Sequence, residues 1–170
     1  MESIICAQTD VFDATNSSAT TYSLEDDRDN NDYNIRKLTN TNCWMVSSAR
    51  YYEESNYIFY YEDNNKVYYT YKPTKEIACP DNWSLPSKSQ AESVLSDVDA
   101  FVPEQGGFTV GSDVANFSGT NNGYWWTSDL REPESPYPYF LSYRNDSNML
   151  IMGNSMGNNA QMFVRYVARD

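Results

Sequence analysis

The apolar residues of this chain occur in short runs separated by Asn, Asp, Gly and Pro, and this spacing constrains the fold most. Alternating or aromatic runs predict strands at TTYSLE, DYNIRK, GYWWTSD, PYPYFLSYR, NMLIMG and QMFVRYVARD. The intervening turn DDRDNND is rich in side chains that bond their own backbone and accept left-handed geometry. Pro136 and Pro138 place the start of their strand at an edge or a bulge. With one clear helix, these strands predict a single α+β domain.

One segment, SKSQAESVLSDVDAF, has helical periodicity. Its apolar residues repeat at positions i, i+3, i+4 and i+7 and so share one face: Ala91, Val94, Leu95 and Val98. Ser87 is the expected N-cap, and Gln90 three residues later completes a capping box. Pro103 ends the pattern. The sequence therefore predicts one helix that begins after Ser87.

Tyrosine is concentrated in residues 51–71, which hold eight of the fifteen tyrosines in the chain. The string YIFYYEDNNKVYYTYK predicts a hairpin that turns at Asn64-Asn65. Tyrosine packs well across neighbouring strands, so we favour sheet packing here over a tyrosine-rich contact surface.

Charge and composition exclude several classes of function. The chain has 170 residues, no histidine and a net charge of −12. The negative charge disfavours nucleic acid and anionic membranes as partners. Without histidine, neither a Ser-His-Asp triad nor a His-ligated zinc site can form. No apolar run is long enough to span a membrane, and MESIICAQTD is not a secretory signal, so we expect either no signal or a longer precursor.

The three cysteines, Cys6, Cys43 and Cys79, allow at most one internal disulfide. None has the CxxC spacing of a redox motif or zinc ribbon. Three buried thiols in a cytosolic protein are one interpretation. We favour an extracellular protein with one disulfide, because much Tyr and Asn with little Lys is typical of exposed binding surfaces. The residues alone leave the pairing open.

Four strings in order resemble the Fibrobacter succinogenes major paralogous domain family, a bacterial branch of the C-type lectin-like and formylglycine-generating-enzyme-like folds. CPDNWSLPSKSQ is similar to the family element CP-x-GW-x-LP. The strings DDRDNNDYNIRKL with NCWM, GYWWTSD and MFVRYVARD resemble its opening, its YWWSS strand and its terminal FSVRCVRD. The resemblance covers residues 26 to 170 and implies a C-type lectin-like fold with short twisted antiparallel sheets and one or two helices.

The resemblance also implies an organisation and a disulfide pattern. One lectin-like domain would occupy residues 21–170, with residues 1–20 as an N-terminal extension or first strand. A strand near residue 22 would pair with one near 165. Tyr166 stands where the family has its terminal cysteine, so the bridge to Cys79 is lost. We therefore expect Cys79 to be a thiol and Cys6 to pair with Cys43.

The C-terminal part of the chain has the composition of a contact surface. Residues 120–170 carry five acidic and four basic residues, so −11 of the total charge of −12 lies in residues 1–119. Tyr and Arg are enriched in binding hot spots, and Tyr with Asn or Ser is typical of antibody paratopes. Ordinary turns would also explain the Asn residues. The predicted ligand contacts are Asp129, Arg131, Tyr137, Tyr139, Tyr143, Asn145, Asn148, Asn154, Met156, Asn158 and Asn159.

From these features we predict a binding module without catalytic activity, displayed outside a cell or on a virion. Its partner would be a protein or another cell-surface ligand, without nucleic acid and without membrane insertion by this chain. Some similar proteins are targets of diversity-generating retroelements, which vary Asn codons on this face. Residues 121–160, with seven Asn, fit such a variable surface, although they also fit ordinary loops, which we favour.

Two alternatives remain at this stage. A calcium-dependent lectin would need converging oxygen ligands, but its Glu-Pro-Asn loop is missing and Arg131-Glu132-Pro133-Glu134 is only a loose echo. The acidic turn at Asp26, Asp27, Asp29 and Asp32 could hold a structural calcium, although we favour a solvated turn and no cofactor. A formylglycine-generating-type enzyme needs a copper-binding cysteine pair, which none of the cysteines matches.

Overall fold

The computed structural model describes residues 21–38, 42–51, 58–61, 66–71, 79–80, 82–101, 103–110, 121–133, 137–157 and 159–168, with backbone alone for 58–61. These ranges contain antiparallel sheets and two short helices, so the domain is α+β. The strands are β1 (Tyr22–Asp26), β2 (Asn31–Lys37), β3 (Cys43–Met45), β4 (Ile58–Tyr61), β5 (Lys66–Thr70), β6 (Trp83–Ser84), β7 (Thr109–Val110), β8 (Gly123–Leu130), β9 (Pro138–Arg144), β10 (Met149–Gly153), β11 (Ala160–Met162) and β12 (Val167–Ala168). The helices are α1 (Lys88–Ser93) and α2 (Val98–Phe101).

The first sheet has the strand order β1-β2-β3-β12-β6. Strands β1 and β2 form the predicted strand–turn–strand unit, with Asp26 paired to Asn31 across the turn. Alternation places Leu24, Tyr33 and Ile35 in the core. The neighbouring strand β3 is buried along its whole length.

The second sheet contains the predicted tyrosine-rich hairpin and has the order β4-β5-β11-β7. Strands β4 and β5 are antiparallel, while the predicted turn at Asn64-Asn65 lies outside the described residues. Tyr68, Tyr69 and Tyr71 are all buried. For these three side chains, sheet packing is confirmed.

The third sheet has the order β10-β9-β8, and most of the predicted contact residues lie in its strands or in the segments that directly adjoin them. The register of β8 and β9 shifts between Trp126 and Leu130, which is a β-bulge. Pro138 begins β9 opposite Leu130. The prediction that proline would place the start of this strand at a bulge is confirmed.

The predicted helix exists but is interrupted. Ser87 and Gln90 form the capping box, with each side chain accepting a hydrogen bond from the other residue's backbone N–H. Helix α1 ends at Ser93 instead of continuing to Val98, and α2 begins after a turn. Ala91 and Val94 nevertheless lie in the core. The apolar face was predicted correctly, but the prediction of one continuous helix was wrong.

The end of the chain also differs from the prediction of a single last strand. Residues 160–168 supply β11 to the second sheet and β12 to the first, joined by a fully buried stretch from Phe163 to Tyr166. Val167 pairs with Trp44 and Ser84, so β12 lies between β3 and β6. Strand β1 pairs with β2 and not with the last strand, so the pairing implied by the resemblance was wrong.

Two aromatic-rich clusters form the core between the sheets. All four tryptophans of the chain lie in these clusters and are at most 2% exposed: Trp44, Trp83, Trp125 and Trp126. Phe101 contacts Trp44 and Trp125 edge-on, with ring centroids 6.0 Å and 5.2 Å apart. This packing fixes the third sheet against the helices.

The two described cysteines, Cys43 and Cys79, are in the states that we expected. Cys43 is disulfide-bonded, and Cys79 is a half-buried thiol outside any disulfide. A Cys43–Cys79 bridge is therefore excluded. The other predicted partner, Cys6, lies outside the described residues, as does the rest of the 1–20 segment.

Candidate functional site

The third sheet separates the predicted contact residues into two groups at opposite ends of β9. This strand has seven residues, so its ends lie about 20 Å apart. We call the first group the bulge end: Asp129, Arg131, Tyr137, Tyr139 and Asn154. The second group is the turn end: Tyr143, Asn145 and Asn148. Strand β10 returns antiparallel and finishes opposite Phe140, which places Asn154 with the first group.

The remaining predicted residues belong to neither end. Met156 is partly buried against the core, whereas Asn159 is exposed just before β11. Asn158 lies outside the described residues.

The bulge gives the bulge end a rigid frame. Thr127 Oγ1 donates to the carbonyl of Tyr139 (2.9 Å), so a side chain replaces a lost ladder hydrogen bond. The Ser128 N–H donates to the carbonyl of Pro86 (2.8 Å), and Tyr71 Oη donates to the carbonyl of Ser128 (2.7 Å). The bulged strand is therefore held from both sides.

Asp129 joins this frame to helix α1. Its Oδ2 accepts the backbone N–H of Lys88 at 2.5 Å, and the ammonium of Lys88 lies 4.7 Å from the ring centroid of Tyr139. Burial raises the pKa of the nearby Tyr71 to about 12, and the charge of Asp129 adds to the shift. Asp129 therefore positions the start of helix α1, where the Lys88 side chain lies beside the half-buried Tyr139.

Tyr137 and Arg131 are the outward-facing members of the bulge end. The Tyr137 side chain is 42% exposed, and the Arg131 N–H donates to the carbonyl of Tyr137 (3.0 Å). Arg131 itself is exposed. The Tyr137 ring and the Arg131 guanidinium thus belong to exposed residues whose backbones are hydrogen-bonded to each other, so one large ligand can contact both.

At the turn end, Tyr143 is inside the protein. Its side chain is only 7% exposed, and its hydroxyl donates to Asn148 Oδ1 at 3.0 Å. Asn145 accepts from Gln105 Nε2 (2.9 Å) and donates its N–H to Asn122 Oδ1 (3.2 Å). These bonds connect three loops, so Tyr143, Asn145 and Asn148 stabilise the turn end whether or not a ligand binds there.

Asn148 has a left-handed backbone, with φ of 48°. We expect Asn148→Ala to lower the free energy of unfolding by about 1 kcal/mol more than Asn148→Gly, because only glycine adopts this geometry without cost. Both variants lose the same bond to Tyr143, so their difference isolates the backbone. Urea unfolding of the two variants measures it. Equal stabilities would contradict the assignment.

The acidic turn that was considered for calcium is occupied by contacts within the protein. Burial raises the pKa of Asp26, but its hydrogen bonds and ion pair with Arg28 outweigh burial and hold it below the ordinary value. Asp29 accepts from Tyr33 Oη (2.7 Å), and Asp32 accepts from Ser23 Oγ (3.0 Å). Within the described ranges, no cluster of three or more Cys, Asp or Glu residues could hold a metal ion.

The sequence did not predict that Lys88 contacts the bulge end. Its place after the N-cap Ser87 indicated a helix start, and no local signal indicates a ring of β9 as its neighbour. Only the packing of α1 against the third sheet brings Lys88 and Tyr139 together.

No protein family, curated protein or solved structure matches this chain at a significant level. None of the helices in the described part of the chain is long and apolar enough to cross a membrane.

Proposed function

We propose that this domain is a ligand-binding module that recognises a protein or another macromolecule through the bulge end. The observation that carries the proposal is the exposed pair Tyr137 and Arg131 beside Tyr139, on a strand fixed by a bulge. Tyr and Arg are the residue types that most often dominate binding energy. A fixed aromatic surface also loses little entropy when it binds.

The resemblance to the Fibrobacter succinogenes major paralogous domain family supports a C-type lectin-like fold for residues 21–170. Burial raises the pKa of Tyr166 well above its ordinary value, and the neighbouring Cys79 raises it further. Tyr166, which stands in place of the family's cysteine, is thus near the cysteine that would have been its partner.

We further propose that the domain is displayed outside a cell or on a virion, and that it binds without catalysing a reaction. Its C-terminal surface would then be open to variation by a diversity-generating retroelement. At the bulge end, Arg131, Tyr137 and Asn154 are exposed positions suited to such variation. Asn148 is less suited, because its left-handed backbone restricts replacement.

A peptide selection tests the bulge end directly. We expect peptides enriched from a phage-displayed random library on the full chain to bind the wild-type protein and to lose about tenfold or more in affinity with Tyr137→Ala or Arg131→Ala. Biolayer interferometry with synthetic peptides measures the loss. Arg144→Ala is the matched control, since Arg144 is an exposed arginine at the far end of β9, and the affinity of this variant should stay within about twofold.

Two results would overturn the proposal. Peptides that bind Tyr137→Ala and Arg131→Ala as tightly as the wild type would place the binding surface elsewhere. If no peptide is enriched and a glycan array binds instead, the domain is a carbohydrate-binding lectin-like adhesin. Circular dichroism of each variant excludes unfolding as the cause of lost binding.

A further inference from the structure

A second concave surface lies between the first and second sheets, built from residues other than those of the bulge end. It is a cavity of about 340 Å³ whose lining includes Ser48, Arg50, Lys66 and Glu104. This volume is at the lower end of the range for small-molecule pockets and suits one sugar or one amino acid.

The cavity presents two cations that form no ion pair with a described carboxylate. Arg50 donates one hydrogen bond, from Nη2 to the carbonyl of Asp32 (2.9 Å), and its guanidinium lies 5.3 Å from the ring centroid of Tyr33. Lys66 donates from Nζ to the carbonyl of Gln105 and lies 5.7 Å from the ring centroid of Phe163. A guanidinium has five N–H donors and an ammonium three, so both cations retain donors.

The acidic residues of the cavity are held by other groups. Glu104 Oε1 accepts the N–H of Ser48 (3.2 Å) and lies 3.8 Å from the buried guanidinium of Arg165. Asp32 accepts from Ser23 Oγ. The lining contains two cations and two carboxylates and so has no net charge, and the buried Arg165 behind Glu104 offsets one of these carboxylates, although the whole chain carries −12.

We propose that this cavity binds a small carboxylate ligand, with Arg50 and Lys66 holding the carboxylate. A guanidinium binds a carboxylate through two parallel hydrogen bonds, and the ammonium adds a charge-assisted bond. The two cations line the same cavity and have donors to spare, which is the arrangement that such a ligand requires.

Asp32 limits the ligand further. Asp32 lines the same cavity as the two cations, together with Asn34 and Ser47. A bare anion would be repelled by the negative charge of Asp32, whereas a hydroxyl or ammonium group on the ligand can donate a hydrogen bond to a carboxylate. The ligand should therefore carry hydroxyl or ammonium groups as well as its carboxylate. Acidic sugars and free amino acids share this chemistry.

Titrations of the ¹⁵N-labelled full chain test this site. The probes are glucuronate and alanine, each with a matched compound that lacks the carboxylate, glucose and alaninamide respectively. We expect at least one carboxylate to shift the amide signals of Ser48, Arg50 and Lys66, and its matched compound to bind about tenfold or more weakly. Preference for glucuronate assigns an acidic sugar, and preference for alanine assigns an amino acid.

Variants separate this site from the bulge end. Lys66→Gln and Arg50→Gln should each weaken binding about tenfold or more, whereas Arg131→Gln should stay within about twofold. Lys66 donates only to a backbone carbonyl, so Lys66→Gln keeps the test valid if Arg50→Gln unfolds. Unshifted signals at about 20 mM of both carboxylates, or unchanged affinity of Lys66→Gln, would overturn the proposal. Neither result bears on peptide binding at Tyr137.

Discussion

Replacing Arg165 with alanine should lower the free energy of unfolding by about 3–5 kcal/mol, a large share of the stability of a domain of this size. The Arg165 side chain is 1% exposed and donates from Nη1 to the carbonyl of Phe101. Its guanidinium lies 4.3 Å from the ring centroid of Phe101 and 5.0 Å from that of Trp125. Alanine would leave a cavity and a buried carbonyl without its donor.

The charge itself is not the main source of this stabilisation. Burial lowers the pKa of Arg165 to about 10, although the carboxylate of Glu104 opposes the shift. The Glu104 side chain is 34% exposed, so water can solvate it once the cation is gone. We therefore expect Arg165→Met, which fills the volume, to recover about half of the loss caused by Arg165→Ala.

Urea unfolding of these variants separates volume from charge. Arg144→Ala is the matched control, because Arg144 is an exposed arginine on β9, and it should change the free energy of unfolding by at most about 0.5 kcal/mol. If Arg165→Ala were within about 1 kcal/mol of the wild type, the packing around the guanidinium would not stabilise the domain.

The strands and the helix start were predictable because their signals are local. Alternation indicated which residues of β2 are buried, and Ser87 with Gln90 indicated where α1 begins. Pro138 indicated the bulge because proline has no N–H for the ladder. Each of these inferences depends on residues a few positions apart.

Predictions failed where a distant part of the chain decides the outcome. The string QMFVRYVARD has one continuous apolar pattern, yet β11 completes the second sheet and β12 the first. The buried turn of chain between them includes Arg165, whose guanidinium is stabilised by the carbonyl and ring of Phe101 and by the ring of Trp125. Nothing in the local pattern indicates that an arginine is part of the core.

The candidate site shows the same limit. Composition indicated a Tyr- and Asn-rich C-terminal surface, but it does not indicate which of these side chains point into the core and which point outward. The fold divides these residues between two ends of β9 and buries Tyr143 while exposing Tyr137. The cavity with Arg50 and Lys66 combines residues from two sheets. Sequence spacing alone could not have joined them.

Alkaline pH should destabilise this domain strongly, because several tyrosines are buried with raised pKa values. Burial raises the pKa of Tyr33, Tyr69, Tyr71 and Tyr166, and that of Tyr71 reaches about 12. These groups hold their protons in the folded protein more tightly than in the unfolded chain, where the pKa is near 10. Their stabilising contribution is therefore complete below pH 10 and is lost as the pH rises toward the folded pKa.

Tyr71, whose pKa in the folded protein is about 12, contributes about 1.4 kcal/mol less to the free energy of unfolding at pH 11 than at pH 8, and the other three tyrosines act in the same direction. Arg165 acts in the opposite direction, because its pKa is lower in the folded protein than in the unfolded chain. Its loss of a proton between pH 8 and pH 11 therefore raises the free energy of unfolding by about 1.4 kcal/mol. With four tyrosines against one arginine, we expect the free energy of unfolding to be lower at pH 11 than at pH 8.

Urea unfolding at the two pH values tests this expectation with two tyrosine variants. Tyr71→Phe removes one ionising group, so its pH-dependent loss should be about 1.4 kcal/mol smaller than that of the wild type, even though the variant loses the bond to the Ser128 carbonyl. Tyr69→Phe removes a second buried hydroxyl whose pKa is raised by burial, so its pH-dependent loss should also be smaller than that of the wild type. An equal pH-dependent loss in Tyr71→Phe and the wild type would show that the Tyr71 hydroxyl is not buried as the structure places it.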